Sequence, residues 1–420
     1  MKLFGTDGIR GRWGQLPMTA EIARGLGLAL RKHYGAGTLC IARDTRQSGE
    51  DIRDALVAGM GGDVVDLGVL PTPALSALLA DGAGVAGVAI TASHNPWQDN
   101  GLKVLEGDGR KPSAEIQDRL EDELLGGTFQ LQPTLSFEQA PGLDRYARLF
   151  LDKLPPSFRL DGVRVALDAA HGAAFESAPR ILGALGARVD AIGVSPDGRN
   201  INEGLGAVHP EVLAERVKQT GAQVGICLDG DADRGILIDA SGRVVDGDAV
   251  LLLLARPPGV VGTVMSNAAL ERALKGRGVG FVRTPVGDRH VASTMRREGW
   301  HVGGEPSGHV LLADGLPTGD GLLTCLRVLA GGLDLVERLK DWRPDPQVLI
   351  NLSVPRKPPL QELPGLARAQ QAALEDGASR VLLRYSGTEP KLRVMVEATR
   401  AEVAQRLAER LAELVLQEIS

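Results

Sequence analysis

Short apolar runs typical of buried strands alternate with helix-like spacings along most of the chain. The first round predicts three strands and two helices: strands at 38–42, 63–69 and 85–91, and helices at 48–61 and 74–80. This alternation is typical of an α/β domain. Residues 111–150 are polar and helix-rich without a clear strand, and Pro155-Pro156 marks the predicted end of the domain.

The alternation restarts twice and then changes. The second round predicts strands at 163–167, 187–193 and 223–228 with helices at 175–185 and 211–219. The third predicts strands at 262–266, 279–284 and 301–303, with helices that begin at 246, end at 274 and begin at 288. From 347 the order is strand, helix, two β-rich segments and a terminal helix at 402–419. We therefore predict three similar mixed α/β domains and a smaller α+β domain: 1–154, 155–245, 246–345 and 346–420.

Composition restricts the class of protein. The 420 residues exceed what one hydrophobic core usually holds. With 47 basic and 53 acidic residues, a net charge of -6 and no long basic run, no nucleic-acid partner is expected. Three widely spaced cysteines without a CxxC pair indicate reduced thiols and no zinc site. The longest apolar run, 249–255, is too short for a membrane helix, and the first residues lack a signal-peptide core, so we expect a cytoplasmic protein without a membrane partner.

Ser93 lies in Ile90-Thr91-Ala92-Ser93-His94-Asn95-Pro96, between an apolar run and a predicted loop at 99–103 that ends at Lys103. A serine hydroxyl in this setting can be phosphorylated and can return its phosphoryl group to a bound alcohol. The alternative is an Asn-Pro turn in which Ser93 and His94 bond only the backbone. A Ser-His-Asp hydrolase is disfavoured, because adjacent side chains of an extended segment point to opposite faces and no GxSxG elbow is present.

Three alternating aspartates follow the predicted strand 223–228: Asp229, Asp231 and Asp233. A loop can turn these carboxylates towards one point, where oxygen ligands suit Mg²⁺. An EF-hand is excluded, because its sixth and twelfth positions hold Arg234 and Ala240 instead of glycine and glutamate. A solvated acidic turn is the alternative.

Three further segments carry candidate chemistry. Arg384-Tyr385-Ser386-Gly387-Thr388 with Arg393 is suited to a phosphate dianion, unless it is a β-turn with surface cations. The segment 305–309 offers a carboxylate, a hydroxyl and an imidazole that could hold sugar hydroxyls and move a proton, although a structural histidine is the alternative. Arg10, in a glycine-flanked turn, could neutralise charge on a transferring phosphoryl group, or the turn could be purely structural. The aspartates in 284–289 and 318–321 could be helix caps.

The order of these segments resembles the α-D-phosphohexomutase family over essentially the whole chain, and most closely its bacterial branch that acts on glucosamine phosphates. The likeness is carried by 4–11, 91–103, 200–202 with 209–211, 284–289, 305–309, 318–322 and 386–390. It implies four domains around a central cleft, the fourth being a mobile phosphate-binding lid. It also implies an enzyme that interconverts glucosamine 6-phosphate and glucosamine 1-phosphate through a phosphoserine and a 1,6-bisphosphate, and so feeds cell-wall synthesis.

The resemblance also implies roles for single residues. The phosphoserine and the ligands of one Mg²⁺ would be Ser93, Asp229, Asp231 and Asp233. The transferring group would be surrounded by Arg10, His94 and Lys103, with Lys103 or His309 transferring the proton. The sugar hydroxyls would be held by Glu305 and Ser307, and the unreacting phosphate by Arg384, Ser386, Gly387, Thr388 and Arg393. A hexose 1,6-bisphosphate would be the intermediate and an activator.

Two positions depart from the family pattern. Ala232 stands where the family often has glycine, which would narrow the backbone angles of the aspartate loop without removing a ligand. Pro306 stands where this branch often has glutamine, which leaves glucose and mannose phosphates as alternative substrates. Glu389 could offset a substrate ammonium group. A phosphosugar-binding protein without turnover, a phosphatase and a homodimer also stay open.

Overall fold

The computed structural model describes residues 3–5, 7–126, 136–385 and 390–419. The chain divides into two compact units: Met1–Met265 with Val279–Lys340, and Ser266–Gly278 with Asp341–Ser420. Three sheets belong to the first unit and one to the second. Within the described ranges, no helix combines the length and apolar character needed to cross a membrane.

The first sheet has six strands in the order β1-β5-β4-β2-β3-β6. Its strands and the helices between them are β1 (Ile9–Arg12), α1 (Ala20–Tyr34), β2 (Leu39–Arg43), α2 (Gly49–Met60), β3 (Val64–Val69), α3 (Thr72–Ala80), β4 (Ala86–Ile90), β5 (Asp99–Glu106), α4 (Ala114–Gly126), β6 (Glu138–Gln139) and α5 (Leu143–Leu151). The parallel strands β2, β3 and β4 confirm the three predicted strands, and α2 and α3 confirm the two predicted helices. One core joins buried side chains of α1 and α2, such as Leu26 and Leu56, to Ile41 and Val88 of the sheet.

The prediction of a loop at 99–103 is wrong, because these residues begin β5. This strand pairs antiparallel with both β4 and β1. It is buried on both faces, since its polar residues Asn100 and Lys103 find partners inside the protein, and it therefore lacks the polar alternation of a half-exposed strand. A Cβ at Gly101 would lie 2.5 Å from the carbonyl oxygen of Thr91, so only glycine fits there. Lys103 consequently projects from a rigid strand.

The second sheet has five strands in the order β11-β10-β9-β7-β8. Its elements are β7 (Arg164–Asp168), α6 (Ser177–Ala184), β8 (Arg188–Ile192), α7 (Pro210–Thr220), β9 (Val224–Leu228), β10 (Gly235–Asp239) and β11 (Val244–Val245). The parallel strands β7, β8 and β9 confirm the second predicted round. Because β10 returns antiparallel to β9, the residues between them form a tight turn at the carboxyl end of β9.

The third sheet has four strands in the order β13-β12-β14-β15. This part of the chain contains α8 (Gly247–Leu254), β12 (Gly259–Thr263), α9 (Ala268–Gly276), β13 (Gly280–Thr284), α10 (Asp288–Glu298), β14 (Val302–Gly304), β15 (Val310–Leu312), α11 (Gly321–Ala330) and α12 (Leu335–Arg338). Strand β12 begins earlier than the predicted strand 262–266. It begins at Gly259, where the ring of Trp300 leaves no room for a side chain: a Cβ would lie 2.6 Å from ring atoms.

The fourth sheet is three-stranded and antiparallel, in the order β16-β18-β17. The elements of this part are β16 (Gln347–Ser353), a 3₁₀ helix (Leu360–Glu362), α13 (Pro364–Glu375), β17 (Ala378–Tyr385), β18 (Lys391–Ala398) and α14 (Ala401–Ile419). Leu392 and Val394 of β18 share a core with Leu407 and Leu411 of α14. The predicted order of a strand, a helix, two strands and a terminal helix is confirmed, as is a smaller α+β C-terminal part.

Candidate active site

Ser93 lies in a turn at the carboxyl end of β4. Its φ is 54°, in the left-handed region that residues with a Cβ rarely adopt. Ser93 is only 1% exposed, and its Oγ donates a hydrogen bond of 2.6 Å to Asp229 Oδ2. The same Oγ lies 3.2 Å from His94 Nδ1. The expectation that Ser93 and His94 point to opposite faces is therefore wrong, because the backbone is not extended at Ser93.

Arg46, which the sequence analysis missed, anchors the Ser93 turn. It is buried beside Asp44, and its Nε donates to Asp44 Oδ2 over 2.8 Å. Its terminal nitrogens donate to the backbone carbonyls of four residues: Ser93, Asn95, Pro96 and Asp99. Charge-assisted hydrogen bonds of this kind fix geometry more firmly than neutral ones. The sequence held only a weak signal, an Asp-x-Arg directly after β2.

The three aspartates lie in the turn between β9 and β10, and all three are buried. One carboxylate oxygen from each lies within 4.8 Å of the others. A Cβ on Gly230 would lie 2.4 Å from the carbonyl oxygen of Ser93, so the turn packs directly against the serine. Ala232 has a φ of 58°, an angle that suits glycine better. The loop is thus a buried convergence of carboxylates instead of a solvated acidic turn.

The electrostatics of this turn fit a bound cation. Burial and the charges of Asp233 and Asp231 raise the pKa of Asp229 to about 8. Among the described residues, Asp231 Oδ1 is buried without a hydrogen-bond partner. Carboxylate oxygens are the ligands that Mg²⁺ and similar hard cations prefer. In the described part of the chain, this is the one cluster of side chains with the spacing of a metal site.

Lys103 places a positive charge directly against the aspartates. It is 2% exposed, and its Nζ lies 2.6 Å from Asp231 Oδ2 and 3.0 Å from Asp233 Oδ2. Burial acts to lower the pKa of Lys103, but Asp231, Asp233 and Asp7 outweigh it and raise that pKa well above its usual value. Thr72 Oγ1 donates to the same Asp231 Oδ2 over 2.6 Å. Lys103 thus engages the Oδ2 atoms of both aspartates and leaves Asp231 Oδ1 available to another cation.

A chain of ion pairs joins Arg10 to this cluster. Asp7 pairs with Arg10, with Lys111 and, over 3.3 Å, with Lys103. Lys111 Nζ also lies 2.7 Å from Asp288 Oδ2. Burial acts to raise the pKa of Asp7, but the two lysines and Arg10 hold it well below its usual value. The structure therefore brings Arg10 and Lys103 together, with Asp7 and Lys111 as members that the sequence analysis did not select.

His309 enters the cluster from the loop between β14 and β15. Its Nδ1 lies 3.4 Å from Asp233 Oδ1, and its Nε2 lies 3.6 Å from Asp288 Oδ2. Burial acts to lower the pKa of His309, but these two carboxylates raise it to about 9. At His94, burial and two neighbouring arginines lower the pKa to about 4. The two histidines thus favour opposite protonation states at neutral pH.

Glu305 and Ser307 occupy the same loop as His309. Glu305 Oε1 accepts a hydrogen bond from the Gly287 N–H over 2.9 Å, and Ser307 Oγ donates to Glu305 Oε2 over 3.4 Å. A Cβ on Gly308 would lie 2.5 Å from the carbonyl oxygen of Gly235. The loop therefore packs on the first residue of β10, beside the aspartate turn.

The two aspartates that could be helix caps differ in role. Asp320 is a cap, because its side chain accepts from the Leu323 N–H over 2.9 Å at the start of α11. Its other oxygen accepts from the Tyr146 hydroxyl over 2.6 Å. Asp288 is the first residue of α10, but its carboxylate faces Lys111 and His309. Asp288 thus belongs to the charged cluster.

In the second unit, Arg384 of β17 and Arg393 of β18 lie opposite each other. Burial and the charge of Arg393 lower the pKa of Arg384. Within the described ranges, Arg393 Nε is buried without a hydrogen-bond partner. Two adjacent guanidinium groups favour an anion between them. The other residues predicted for this site, and the candidate ammonium partner, lie outside the described residues: Ser386, Gly387, Thr388 and Glu389.

Four family descriptions match the chain in order. They are the phosphoglucomutase/phosphomannomutase alpha/beta/alpha domains I, II and III and the C-terminal domain, matched by residues 1–131, 145–242, 246–340 and 349–414. A phosphoglucosamine mutase from Anaeromyxobacter sp. (strain Fw109-5) is 43% identical over 98% of this chain and 95% of its own length.

Two solved structures resemble the chain over nearly its full length. A phosphoglucomutase/phosphomannomutase family protein from Burkholderia thailandensis has a TM-score of 0.80 and 26% identity, covering 98% of this chain and 97% of the other. An N-acetylphosphoglucosamine mutase from Aspergillus fumigatus, in complex with GlcNAc-6P and magnesium, has a TM-score of 0.71 and 17% identity, covering 100% and 96%. The resemblance inferred from the sequence is confirmed, and the chain belongs to the phosphoglucomutase/phosphomannomutase family.

Proposed function

We propose that this chain interconverts glucosamine 6-phosphate and glucosamine 1-phosphate, with Ser93 as the carrier of the transferring phosphoryl group. The observation that carries the proposal is the 2.6 Å hydrogen bond from Ser93 Oγ to Asp229, beside two further buried carboxylates. Relatives that are named phosphoglucosamine mutases and match nearly the whole chain support glucosamine as the sugar. The reaction moves a phosphoryl group within one sugar, so the enzyme is an isomerase.

Mg²⁺ is the proposed metal of the aspartate turn. Phosphorylated Ser93 has no hydrogen on Oγ, so it cannot donate to Asp229, and a cation would replace the lost interaction. Lys103 occupies the Oδ2 atoms of Asp231 and Asp233 and leaves Asp231 Oδ1 for the ion, whereas Asp233 Oδ1 also lies 3.4 Å from His309 Nδ1. The magnesium complex of the Aspergillus fumigatus relative supports this choice. When bound, Mg²⁺ would offset negative charge on the phosphoryl group.

The reaction has two half-reactions. In the first, the bond between Ser93 Oγ and phosphorus breaks while O1 of glucosamine 6-phosphate bonds to phosphorus; the O1 proton leaves, and Ser93 Oγ gains one. The resulting 1,6-bisphosphate then reorients within the site, so that its O6 phosphate faces Ser93. In the second, its O6–phosphorus bond breaks while Ser93 Oγ bonds to phosphorus; the Oγ proton leaves, O6 gains one, and glucosamine 1-phosphate leaves. Arg10 and His94 face the transferring group, and Lys103 and His309 are the two candidates for proton transfer.

Substrate binding completes the proposal. Glu305 and Ser307 would hold the sugar hydroxyls, and the unreacting phosphate would be held by Arg384, Ser386, Gly387, Thr388 and Arg393. A hexose 1,6-bisphosphate would also load phosphate onto an empty Ser93. The proposal keeps the four domains 1–154, 155–245, 246–345 and 346–420 and a cytoplasmic location. It does not require a homodimer, because one chain supplies all of these residues.

A substrate panel tests the proposal. The protein, with Mg²⁺ and a trace of hexose 1,6-bisphosphate, is given glucosamine, glucose or mannose 6-phosphate, and intact mass reports phosphate on Ser93. We expect glucosamine 6-phosphate to be converted fastest, Ser93→Ala to abolish conversion and phosphorylation, and the exposed control Ser195→Ala to retain both. Faster conversion of glucose or mannose phosphate would assign a phosphoglucomutase or phosphomannomutase. A protein that never gains phosphate would be a phosphosugar binder, and one that loses it to water would be a phosphatase.

A further inference from the structure

Asn202 contacts the Ser93 turn from a loop that belongs to the second sheet's part of the chain. It lies in the segment between β8 and α7, and its Nδ2 donates to the carbonyl oxygens of Ser93 and Asn95 over 2.9 and 3.0 Å. Arg46 donates to the same two carbonyls over 2.9 and 2.8 Å. Two buried donors from two sheets therefore share both carbonyls of the turn.

The backbone of Asn202 is fixed independently of Ser93. Its N–H donates to the carbonyl oxygen of Ala170 over 2.9 Å, in the loop that follows β7. Its φ is 60°, a left-handed angle that asparagine tolerates better than most residues. The side-chain amide is thus presented to the Ser93 turn from a fixed base.

We infer that Asn202 is a positioning residue that keeps Ser93 in its left-handed conformation and so aims Oγ at the aspartate turn. The angle is unfavourable for serine and persists only where surrounding contacts impose it. Without the amide, the carbonyls of Ser93 and Asn95 each lose one of two side-chain donors and keep only the bond from Arg46. The peptide planes are then held less firmly, and a rotation towards ordinary angles turns Oγ away from Asp229. The kinetic consequence of this inference rests on the proposed function, whereas the conformational consequence does not.

A purely structural role in docking the two sheets is served by other contacts. Thr45 Oγ1 donates to the carbonyl oxygen of His171 over 2.5 Å, and the Gln47 N–H donates to that of Gly198 over 2.9 Å. Arg199 Nε also donates to Gln47 Oε1 over 2.7 Å. These bonds join the first and second sheets without Asn202, so removal of its amide leaves them in place.

The test compares Asn202→Gly with Asn200→Gly. Glycine accepts a φ of 60°, so the first variant keeps the backbone and removes both bonds to the Ser93 turn. The second also removes two side-chain bonds in the same segment, from Asn200 Nδ2 to the carbonyl oxygen of Ser195 and from the Asp197 N–H to Asn200 Oδ1, without touching Ser93. Each variant is studied by crystallography, urea unfolding and single-turnover phosphoryl transfer from phospho-Ser93 to glucosamine 6-phosphate.

In Asn202→Gly we expect Ser93 Oγ to move away from Asp229. Transfer should slow by roughly tenfold to a hundredfold, since misplacement of a reacting group by about 1 Å has effects of that size. KM should stay within about twofold of wild type, because Asn202 bonds the Ser93 turn and none of the residues proposed to hold the sugar. Asn200→Gly should transfer at the wild-type rate, and the urea transition shows that each variant is folded.

An unchanged Ser93 conformation together with wild-type transfer in Asn202→Gly would overturn the inference. If wild-type protein fails to phosphorylate glucosamine 6-phosphate, the proposed function fails, and the crystal structures still decide whether Asn202 sets the Ser93 conformation. If Asn202→Gly does not fold, Asn202→Asp replaces it: aspartate has the same size and tolerates the same φ, but an ionised carboxylate cannot donate to the two carbonyls. The same displacement of Oγ is then expected, and its absence overturns the inference.

Discussion

Ala232 illustrates a local conformational cost within the aspartate turn. A φ of 58° costs a residue with a Cβ roughly 1–2 kcal/mol of folding free energy. Glycine avoids this cost, but it lowers the stability by about 0.4–1 kcal/mol because it gives the unfolded chain more conformational entropy. Ala232→Gly should therefore raise the free energy of unfolding by about 0.5–1 kcal/mol, as measured with urea. The control Ala169→Gly, buried in a neighbouring loop without a positive φ, should lower it. Equal destabilisation in both variants would contradict this account.

Lys103 is predicted to balance the buried carboxylates when no metal is bound. Lys103→Met leaves Asp231 and Asp233 without their cation and should lower the free energy of unfolding by roughly 3–5 kcal/mol. Added Mg²⁺ should stabilise this variant more than wild type, because the ion then relieves a larger repulsion. The control Lys111→Met loses its pairs with Asp7 and Asp288 but none with the aspartate turn, so its gain from Mg²⁺ should equal that of wild type. Urea unfolding with and without Mg²⁺ measures these gains, and an equal gain for Lys103→Met and wild type would contradict the prediction.

At the residue scale, the candidate site residues that the sequence predicted are those whose side chains are themselves reactive or charged. Side chains that hold backbone groups in place were missed. Ser93, Lys103 and the aspartate turn meet as expected because each belongs to a motif of unusual composition. Arg46 was not selected, and Asn202 was noted only as part of the segment 200–202 that carries the resemblance, without a role. A side chain that donates to a distant carbonyl leaves no periodic or compositional signal of that contact.

At the scale of elements, the β9–β10 hairpin and the Ser93 turn are fitted against each other with no spare room. A Cβ on Gly230 would lie 2.4 Å from the carbonyl oxygen of Ser93 and 2.8 Å from Asn202 Nδ2. Gly230→Ala should therefore lower the free energy of unfolding by roughly 1–3 kcal/mol through overpacking, and phosphoryl transfer should slow as the two turns separate. Gly183→Ala is the matched control: nothing lies within 4 Å of its Cβ, and in α6 it should stabilise by up to about 1 kcal/mol. A tolerated Gly230→Ala would show that the turns are not in contact in solution.

The parallel strands were predictable because each is a short apolar run followed by a polar, glycine-containing loop. Strand β5 was not, since burial of Asn100 and Lys103 removes the alternation by which a strand is recognised. The pairing of β5 with β4 explains why Lys103 lies near Ser93. Lys103 is in register with Ala89, which is close to the end of β4 that leads to Ser93. The buried lysine thus made the strand that carries it harder to recognise in the sequence.

At the scale of the whole molecule, the order of four sheets followed from the changes in pattern along the chain, whereas the packing between sheets did not. Contacts that join segments far apart in sequence, such as Thr72 with Asp231 or Tyr146 with Asp320, depend on hydroxyl groups whose partners the sequence does not identify. Such long-range polar contacts give the first unit a pH dependence that can be measured.

The raised pKa of Asp320 determines whether the free energy of unfolding rises or falls with pH. Burial raises the pKa of Asp320 to about 6 from an ordinary value of 3.8, so the folded protein binds its proton more tightly than the unfolded chain does. The stabilisation by this proton is full below pH ~4 and is lost as pH rises through about 6, a change of about 3 kcal/mol. Asp320→Asn keeps a cap for Leu323 and a partner for Tyr146 but does not titrate.

The free energy of unfolding of Asp320→Asn, minus that of wild type, should therefore rise by about 2–3 kcal/mol between pH 4 and pH 7 in urea titrations. Tyr146→Phe removes the hydroxyl that stabilises the ionised carboxylate, so it should push the wild-type transition to higher pH without abolishing it. A difference that stays constant with pH would mean that Asp320 ionises normally in the folded state, and that water reaches a carboxylate which is buried beside Tyr146 in this structure.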